Sequence, residues 1–182
     1  MLKKLMTLGS LACVLSFSSI GHAQALPTAT GRGGLQAGGG YSVASSDYGQ
    51  GKIQGFSGFA DFDFTNHLGV EADIHYIAII TPNDLAENTY LIGPRYVFRR
   101  NRYNIYGKGL LGIGDMVIQE VQDNQGTVAG TSFAYALGGG VDFMATKHIV
   151  VRAIDFEYQH WNYGAHGLTP MVFTVGAAYR FR

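Results

Sequence analysis

The sequence predicts an all-β fold, an eight-stranded antiparallel up-and-down transmembrane β-barrel, and three observations carry that prediction. Eight segments alternate bulky apolar residues with small, polar or ionisable ones, the period of a strand whose successive side chains point to opposite faces. The connections between these segments alternate between short polar turns and longer irregular stretches. The 182 residues include 26 glycines, 11 tyrosines and 11 phenylalanines but only 4 prolines, a composition of bends and aromatic-rich strands.

Residues 1–25 read differently from the rest. Lys3 and Lys4 form a basic start, "LMTLGSLACVLSFSSI" an apolar core and "GHAQA" a run of small residues, the pattern of a secretory signal peptide with cleavage after Ala23 or Ala25. Either cut removes Cys13, the single cysteine, so no disulfide framework is expected although export leads to an oxidising compartment. Ser10 stands where a lipid-attachment signal would carry an aliphatic residue. Basic and acidic residues balance at 13 each, and losing Lys3 and Lys4 leaves a slight acidic excess. No basic run marks a nucleic-acid surface. Residues 26–32 form a short segment before the barrel of residues 33–182. Within the barrel no stretch of about 18 apolar residues occurs, which excludes a helical span.

The strands follow in order. "LQAGGGYSV" puts Leu35, Ala37, Tyr41 and Val43 on one face, and "QGFSGFADFDF" sets Phe56, Ala60, Phe62 and Phe64 against Ser57, Phe59, Asp61 and Asp63. "LGVEADIHYIAII" alternates Val70, Ala72, Ile74 and Tyr76 with Glu71, Asp73 and His75. In "TYLIGPRYVFR", Tyr90, Ile92, Pro94, Tyr96 and Phe98 oppose Leu91, Arg95, Val97 and Arg99. "IYGKGLLGIGDM" places Ile105, Leu111 and Ile113 opposite Tyr106, Lys108 and Leu110. "SFAYALGGGVDF" separates Phe133, Tyr135, Leu137, Val141 and Phe143 from Ala134, Ala136, Gly138, Gly140 and Asp142. In "VVRAIDFEYQHW", Ile154, Phe156 and Tyr158 oppose Asp155, Glu157 and Gln159. Arg152 then falls on the apolar face, which requires a membrane-interface position or a bulge. "MVFTVGAAYRF" ends the series with Met171, Phe173, Val175, Ala177, Tyr179 and Phe181 on one side.

"TNH", "RRNR" and "ATKH" are the short turns, and "SSDYGQGK", "TPNDLAEN", "QEVQDNQGTVAG" and "NYGAHGLTP" the longer loops. Short turns on one rim, longer loops on the other and an even strand count are features of outer-membrane barrels. Hydrocarbon cannot hydrogen-bond a backbone, so a sheet crossing it must close and leave no edge. Eight strands enclose a space that side chains fill. Glu71, Asp73, Arg95, Lys108, Glu157 and Arg180 are therefore expected to meet inside as a salt-bridged plug. Aromatic girdles are expected at both interfaces: Trp161, Tyr158, Tyr41 and Tyr76 at the loop ends, and Phe64, Phe143, Tyr179 and Phe181 at the turn ends.

Other signals resolve into this plan. "GKGLLG", Gly107 to Gly112, matches a dinucleotide-binding glycine fingerprint, but it lies inside a strand pattern with no helix to follow. His160 and His166 flank the last loop without a local carboxylate or thiolate, so no metal is expected there. His75 shares a face with Asp73 and Glu71 and is read as part of the interior network rather than as an acid–base catalyst. The strand phase brings no serine beside a histidine near the loop ends, so neither catalytic residues nor a cofactor are assigned.

These residues resemble a family, the small outer-membrane β-barrels that include the OmpA transmembrane domain, OmpX and the opacity-type surface proteins. The resemblance spans residues 33–182 and rests on "VGAAYRF", "GPRYVFRR", "FADFDFTNHLGVEADIHY" and "GGGVDF". It implies location in the bacterial outer membrane, contact with outer-membrane lipid and insertion by the barrel-assembly machinery, with Tyr179 and Phe181 as the assembly signal. Arg182, following Phe181, departs from the family pattern. The function it implies is a non-enzymatic structural or surface-interaction role, with an extracellular partner met through the loops. A narrow pore for small solutes is the alternative, and a lipid-modifying enzyme, which some similar barrels are, is a lesser one.

Overall fold

The computed structural model describes residues 33–45, 52–80, 85–118, 128–162 and 167–181. The chain divides into Met1–Thr30 and Gly31–Arg182, and the expected signal peptide and the segment 26–32 lie outside the described residues. The second unit consists of β1 (Gly34–Ser45), β2 (Lys52–Asp63), β3 (Leu68–Ile80), β4 (Leu85–Arg100), β5 (Tyr103–Ile118), β6 (Val128–Met144), β7 (Ile149–Trp161) and β8 (Met171–Phe181). Each strand pairs antiparallel with the next, and β8 pairs with β1 from Leu35↔Phe181 to Ser45↔Met171. That last pairing closes the sheet, so every strand has a partner on both sides. With 11 to 17 residues each, the strands meet or exceed the roughly 9–11 residues that cross a bilayer at a tilt.

The alternation read from the sequence sorts the faces. Phe56, Ile92 and Leu137 point outward and are 57%, 58% and 62% exposed, while Asp61, Glu71 and Glu157 are buried inside. A one-residue bulge breaks the period in β7. Val141 pairs with Ile154 but Asp142 pairs with Arg152, leaving Ala153 as the extra residue. Before the bulge Arg152 points inward; after it Asp155 does. The bulge therefore accounts for Arg152, which a strict alternation had put on the lipid face.

Three loops are shorter than the sequence indicated, the first because Ser45 and Lys52 of "SSDYGQGK" pair as the ends of β1 and β2. Leu85–Asn88 of "TPNDLAEN" belongs to β4, and Val128–Gly130 of "QEVQDNQGTVAG" belongs to β6. Both pair with β5, in ladders reaching Leu85↔Ile118 and Val128↔Ile118. Backbone pairing, worth more than the turn chemistry of those residues, extends the strands past the segments with clear alternation. The remaining residues of these three loops lie outside the described residues.

At the opposite rim two turns share one design. Thr65 Oγ1 accepts hydrogen bonds from the backbone N–H groups of His67 and Leu68 at 3.2 and 2.8 Å, and Thr146 Oγ1 accepts from those of His148 and Ile149 at 3.2 and 2.9 Å. Each threonine thus stands in for a missing backbone partner in a tight turn. His67 then stacks on Tyr96 and His148 on Tyr179, with ring centroids 5.7 and 5.6 Å apart. In the third turn Asn101 adopts φ +54°, a left-handed conformation that asparagine tolerates better than most residues.

Candidate functional site inside the barrel

Two like-charge pairs define the interior. Asp61 faces Glu71 across β2 and β3, and Arg95 faces Lys108 across β4 and β5. Either pair alone would destabilise its ladder. Closure brings the two pairs together across the lumen, where each supplies the other's counter-charge.

Lys108 is the centre of one half. Its Nζ lies 2.8 Å from Glu71 Oε1, 2.7 Å from Asp73 Oδ2, 2.6 Å from Asp155 Oδ2 and 2.7 Å from Glu157 Oε1. Arg95 and Arg152 hold the other half. Arg95 pairs with Asp61 and, at 2.7 Å, with Asp142. Arg152 reaches Asp61 at 2.9 Å, Glu71 at 3.0 Å and Asp142 at 3.3 Å. Gln36 Nε2 donates to both Asp61 and Asp142. The guanidinium planes are further covered by rings, Arg152 over Phe59 at 3.6 Å and Arg95 over Tyr106 at 4.1 Å, an arrangement that suits a weakly hydrated, delocalised cation. Gly140 makes room for Tyr106, since a Cβ there would fall 2.6 Å from the phenol oxygen.

A polar chain leads from this cluster toward the loop end. Trp161 Nε1 donates to Gln159 Oε1 at 3.1 Å, and Gln159 Nε2 donates to Glu157 Oε2 at 2.8 Å. Apolar side chains bracket the charges. Ala44, Ile53, Ile77 and Val172 pack together near the loop rim, and so do Leu91, Leu110, Met116, Ala134, Ala136 and Trp161. Phe59, Val150 and Ala178, with Met144 against them, pack toward the turn rim.

Of the residues assigned to this interior from sequence, Glu71, Asp73, Arg95, Lys108 and Glu157 lie in the cluster just described. Arg180 lies at the turn end, where its Nη1 donates to Met144 Sδ at 3.3 Å. Asp61, Asp142 and Asp155 were on the polar face of their strands but had not been assigned to the cluster. Arg152 was hidden by its bulge. Trp161 is a correction: it is 1% exposed and packs inside, not in a girdle. It shares the phase of Glu157 and Gln159, so the alternation itself indicated the interior, and its proximity to a loop was the weaker guide.

The structure also brings together a serine, a histidine and a carboxylate that strand phase had not. Ser42 Oγ lies 3.5 Å from His75 Nδ1, and His75 Nε2 lies 3.3 Å from Glu157 Oε1. This is not a nucleophile poised for substrate. Ser42 is fully buried and its hydroxyl is 2.7 Å from Thr174 Oγ1, so no acyl or phosphoryl group can reach it. Asp73, His75 and Glu157 are close enough to share a metal ion, but the Lys108 ammonium already stands between Asp73 and Glu157 as their cation. His160 packs against Tyr135 at 5.1 Å, and its suggested companion His166 lies outside the described residues. Gly107 to Gly112 lie within β5, without the helix that phosphate binding needs. Tyr179 and Phe181 point outward from β8, 50% and 48% exposed, with rings 5.1 Å apart.

Comparison with known proteins agrees with this geometry. The family model described as "Outer membrane protein beta-barrel domain" matches residues 10–181. No curated protein matches the chain. Among solved structures, Ail of Yersinia pestis, crystallised with the heparin analogue sucrose octasulfate, is 21% identical at a TM-score of 0.54, covering 82% of this chain and 98% of Ail. Neisserial surface protein A is 17% identical at 0.53, over 81% of this chain and 95% of that one. OprG of Pseudomonas aeruginosa is 13% identical at 0.59, over 83% and 97%. The chain belongs to the outer membrane protein β-barrel domain family, and its place is the bacterial outer membrane.

Proposed function

We propose that the protein is a non-enzymatic scaffold of the outer membrane that contributes to the envelope and presents its longer loops to the outside. One observation carries this reading: the space that a pore or an enzyme pocket would need is filled by the Lys108, Arg95 and Arg152 ion pairs and capped by apolar side chains at both ends. What function there is must then act at the surface. The rim bearing the loops faces outward and the rim of short turns faces the periplasm, as in bacterial barrels generally. Tyr179 and Phe181 end the last strand where the barrel-assembly machinery would read them.

The loops favour a partner unlike the one crystallised with Ail. Between strands they carry Asp47, Asp84, Glu120 and Asp123, against which Lys52, the first residue of β2, is the basic residue bordering them, so a polysulfated ligand such as sucrose octasulfate meets net repulsion here. A neutral or cationic surface fits better.

The test joins two measurements on one protein. Folded protein in a planar bilayer is expected to pass no steady current, and cells bearing it are expected to lose surface binding when the four loops are cut to short turns. Discrete, reproducible channels would replace the scaffold reading with a pore. Binding unchanged by loop removal would place the interaction elsewhere.

A further inference from the structure

The turn rim is more basic than the loop rim, where Lys52 at the start of β2 is the basic residue that borders a loop. Arg100 ends β4, Arg102 sits in the β4–β5 turn and Lys147 in the β6–β7 turn, all exposed. The two turns are neighbours, because the backbone N–H of Met144 donates to the Arg102 carbonyl at 2.8 Å. Among the described residues no carboxylate pairs with any of the three. Asp63, the acid at this rim, is held by Arg99.

The position of these cations relative to the membrane follows from strand phase. Tyr96, Phe98 and Arg100 share the outward face of β4, so Arg100 lies about 7 Å beyond the Phe98 ring along the strand. Around the rim, the rings of Tyr103 and Phe143 meet at a tilt with centroids 5.2 Å apart, and His148 stacks on Tyr179 at 5.6 Å. Outward aromatic rings settle at the headgroup boundary. Arg100 stands level with the belt ring Tyr103, its partner across β4 and β5, and Arg102 and Lys147 lie in the turns beyond it, so the three cations lie at the depth of lipid phosphates.

We propose that Arg100, Arg102 and Lys147 form a docking patch for anionic glycerophospholipid headgroups in the leaflet at the turn rim. Guanidinium groups offer forked donors that match phosphate oxygens, and the lysine adds a mobile point charge. Each cation near an anionic surface enriches such lipid by about fivefold before salt screening. Naming that leaflet the periplasmic one rests on the orientation given above, but the lipid preference does not.

The probe is phosphatidylglycerol. Tyr103→Trp places a fluorophore beside the patch, and the otherwise native protein supplies the background from Trp161. Folded protein is reconstituted into phosphatidylcholine vesicles containing an equal minor fraction of brominated phosphatidylglycerol or brominated phosphatidylcholine. Bromine on phosphatidylglycerol should quench the reporter severalfold more than bromine on phosphatidylcholine. The preference should fall stepwise with Lys147→Gln and vanish in Arg100→Gln/Arg102→Gln/Lys147→Gln, with barrel formation verified by heat-dependent gel mobility. Equal quenching by the two lipids, or a preference that survives in the triple variant, overturns the proposal. So does a preference abolished by inorganic phosphate but not by sodium chloride of the same ionic strength, which would mark a site for free phosphate.

Discussion

Replacing Lys108 by methionine removes one ammonium and leaves Glu71, Asp73, Asp155 and Glu157, all within 2.8 Å of it, facing one another in a buried space. Breaking a single buried ion pair by deleting one partner costs about 3–5 kcal/mol, chiefly from the charge left uncompensated. Glu71 and Asp155 keep Arg152 at 3.0 and 3.6 Å, but among the described residues Asp73 pairs with no cation other than Lys108, so the expected loss is about 3 kcal/mol, a factor of about 100 in the folded-to-unfolded ratio. The measurement is reversible urea unfolding in lipid vesicles, followed by the fluorescence of Trp161, which leaves its interior site on unfolding. The double variant Lys108→Met/Asp73→Asn should recover part of the loss, because one of the repelling charges is gone. If Lys108→Met costs less than about 1 kcal/mol, the value of an exposed pair, the lumen is hydrated and the packed-interior account fails.

Ile74→Arg should destabilise the inserted barrel by about 2–4 kcal/mol if Ile74 lies near the bilayer midplane, whereas Asp73→Asn, one residue away on the inner face, should still insert; vesicle-folding yields compare the two. Gly114→Ala would set a Cβ 2.8 Å from the Trp161 indole, and urea unfolding should show a loss of about 1–3 kcal/mol from overpacking, recovered by Trp161→Phe. Phe181→Ala should slow assembly in cells while leaving unassisted refolding into detergent unchanged, read by pulse-labelling and gel mobility. Impaired refolding in detergent would make Phe181 a packing residue instead of a signal.

The faces of the strands were legible because alternation is local: one peptide unit decides which side the next residue takes. Thus Tyr106 and Lys108 could be put inside, and Ile105 and Leu111 outside, from "IYGKGLL" alone. What the sequence hides are the facts that depend on closure. Which side chains meet across the lumen is set by the stagger of strands around the barrel, so nothing near Asp142 in sequence indicates that Arg95 will find it. The bulge at Ala153 was legible as one of two explanations for the phase of Arg152, but its place was not, since an extra residue shows its position only against its partner strand. The paired turns "TNHL" and "TKHI" were the exception, a repeat that could have been read as two copies of one threonine-capped turn.

The interior charges also explain why the strands settle in one register. In a barrel whose outside is uniformly apolar, a slip of two residues costs little on the lipid side, since one ring replaces another, although inside it separates the paired charges. A slip of one residue exchanges the two faces completely. For β3 it would move Glu71, Asp73 and His75 into hydrocarbon and draw Ile74 and Tyr76 into the ion-pair cluster. Each charge stranded near the midplane would cost up to a few kcal/mol, and Lys108 and Arg152 would lose their partners in the same step. An apolar core of equal volume could match or exceed the network in stability, but it would not distinguish inner from outer face. The charges in the lumen therefore tell each strand of this barrel which side is in.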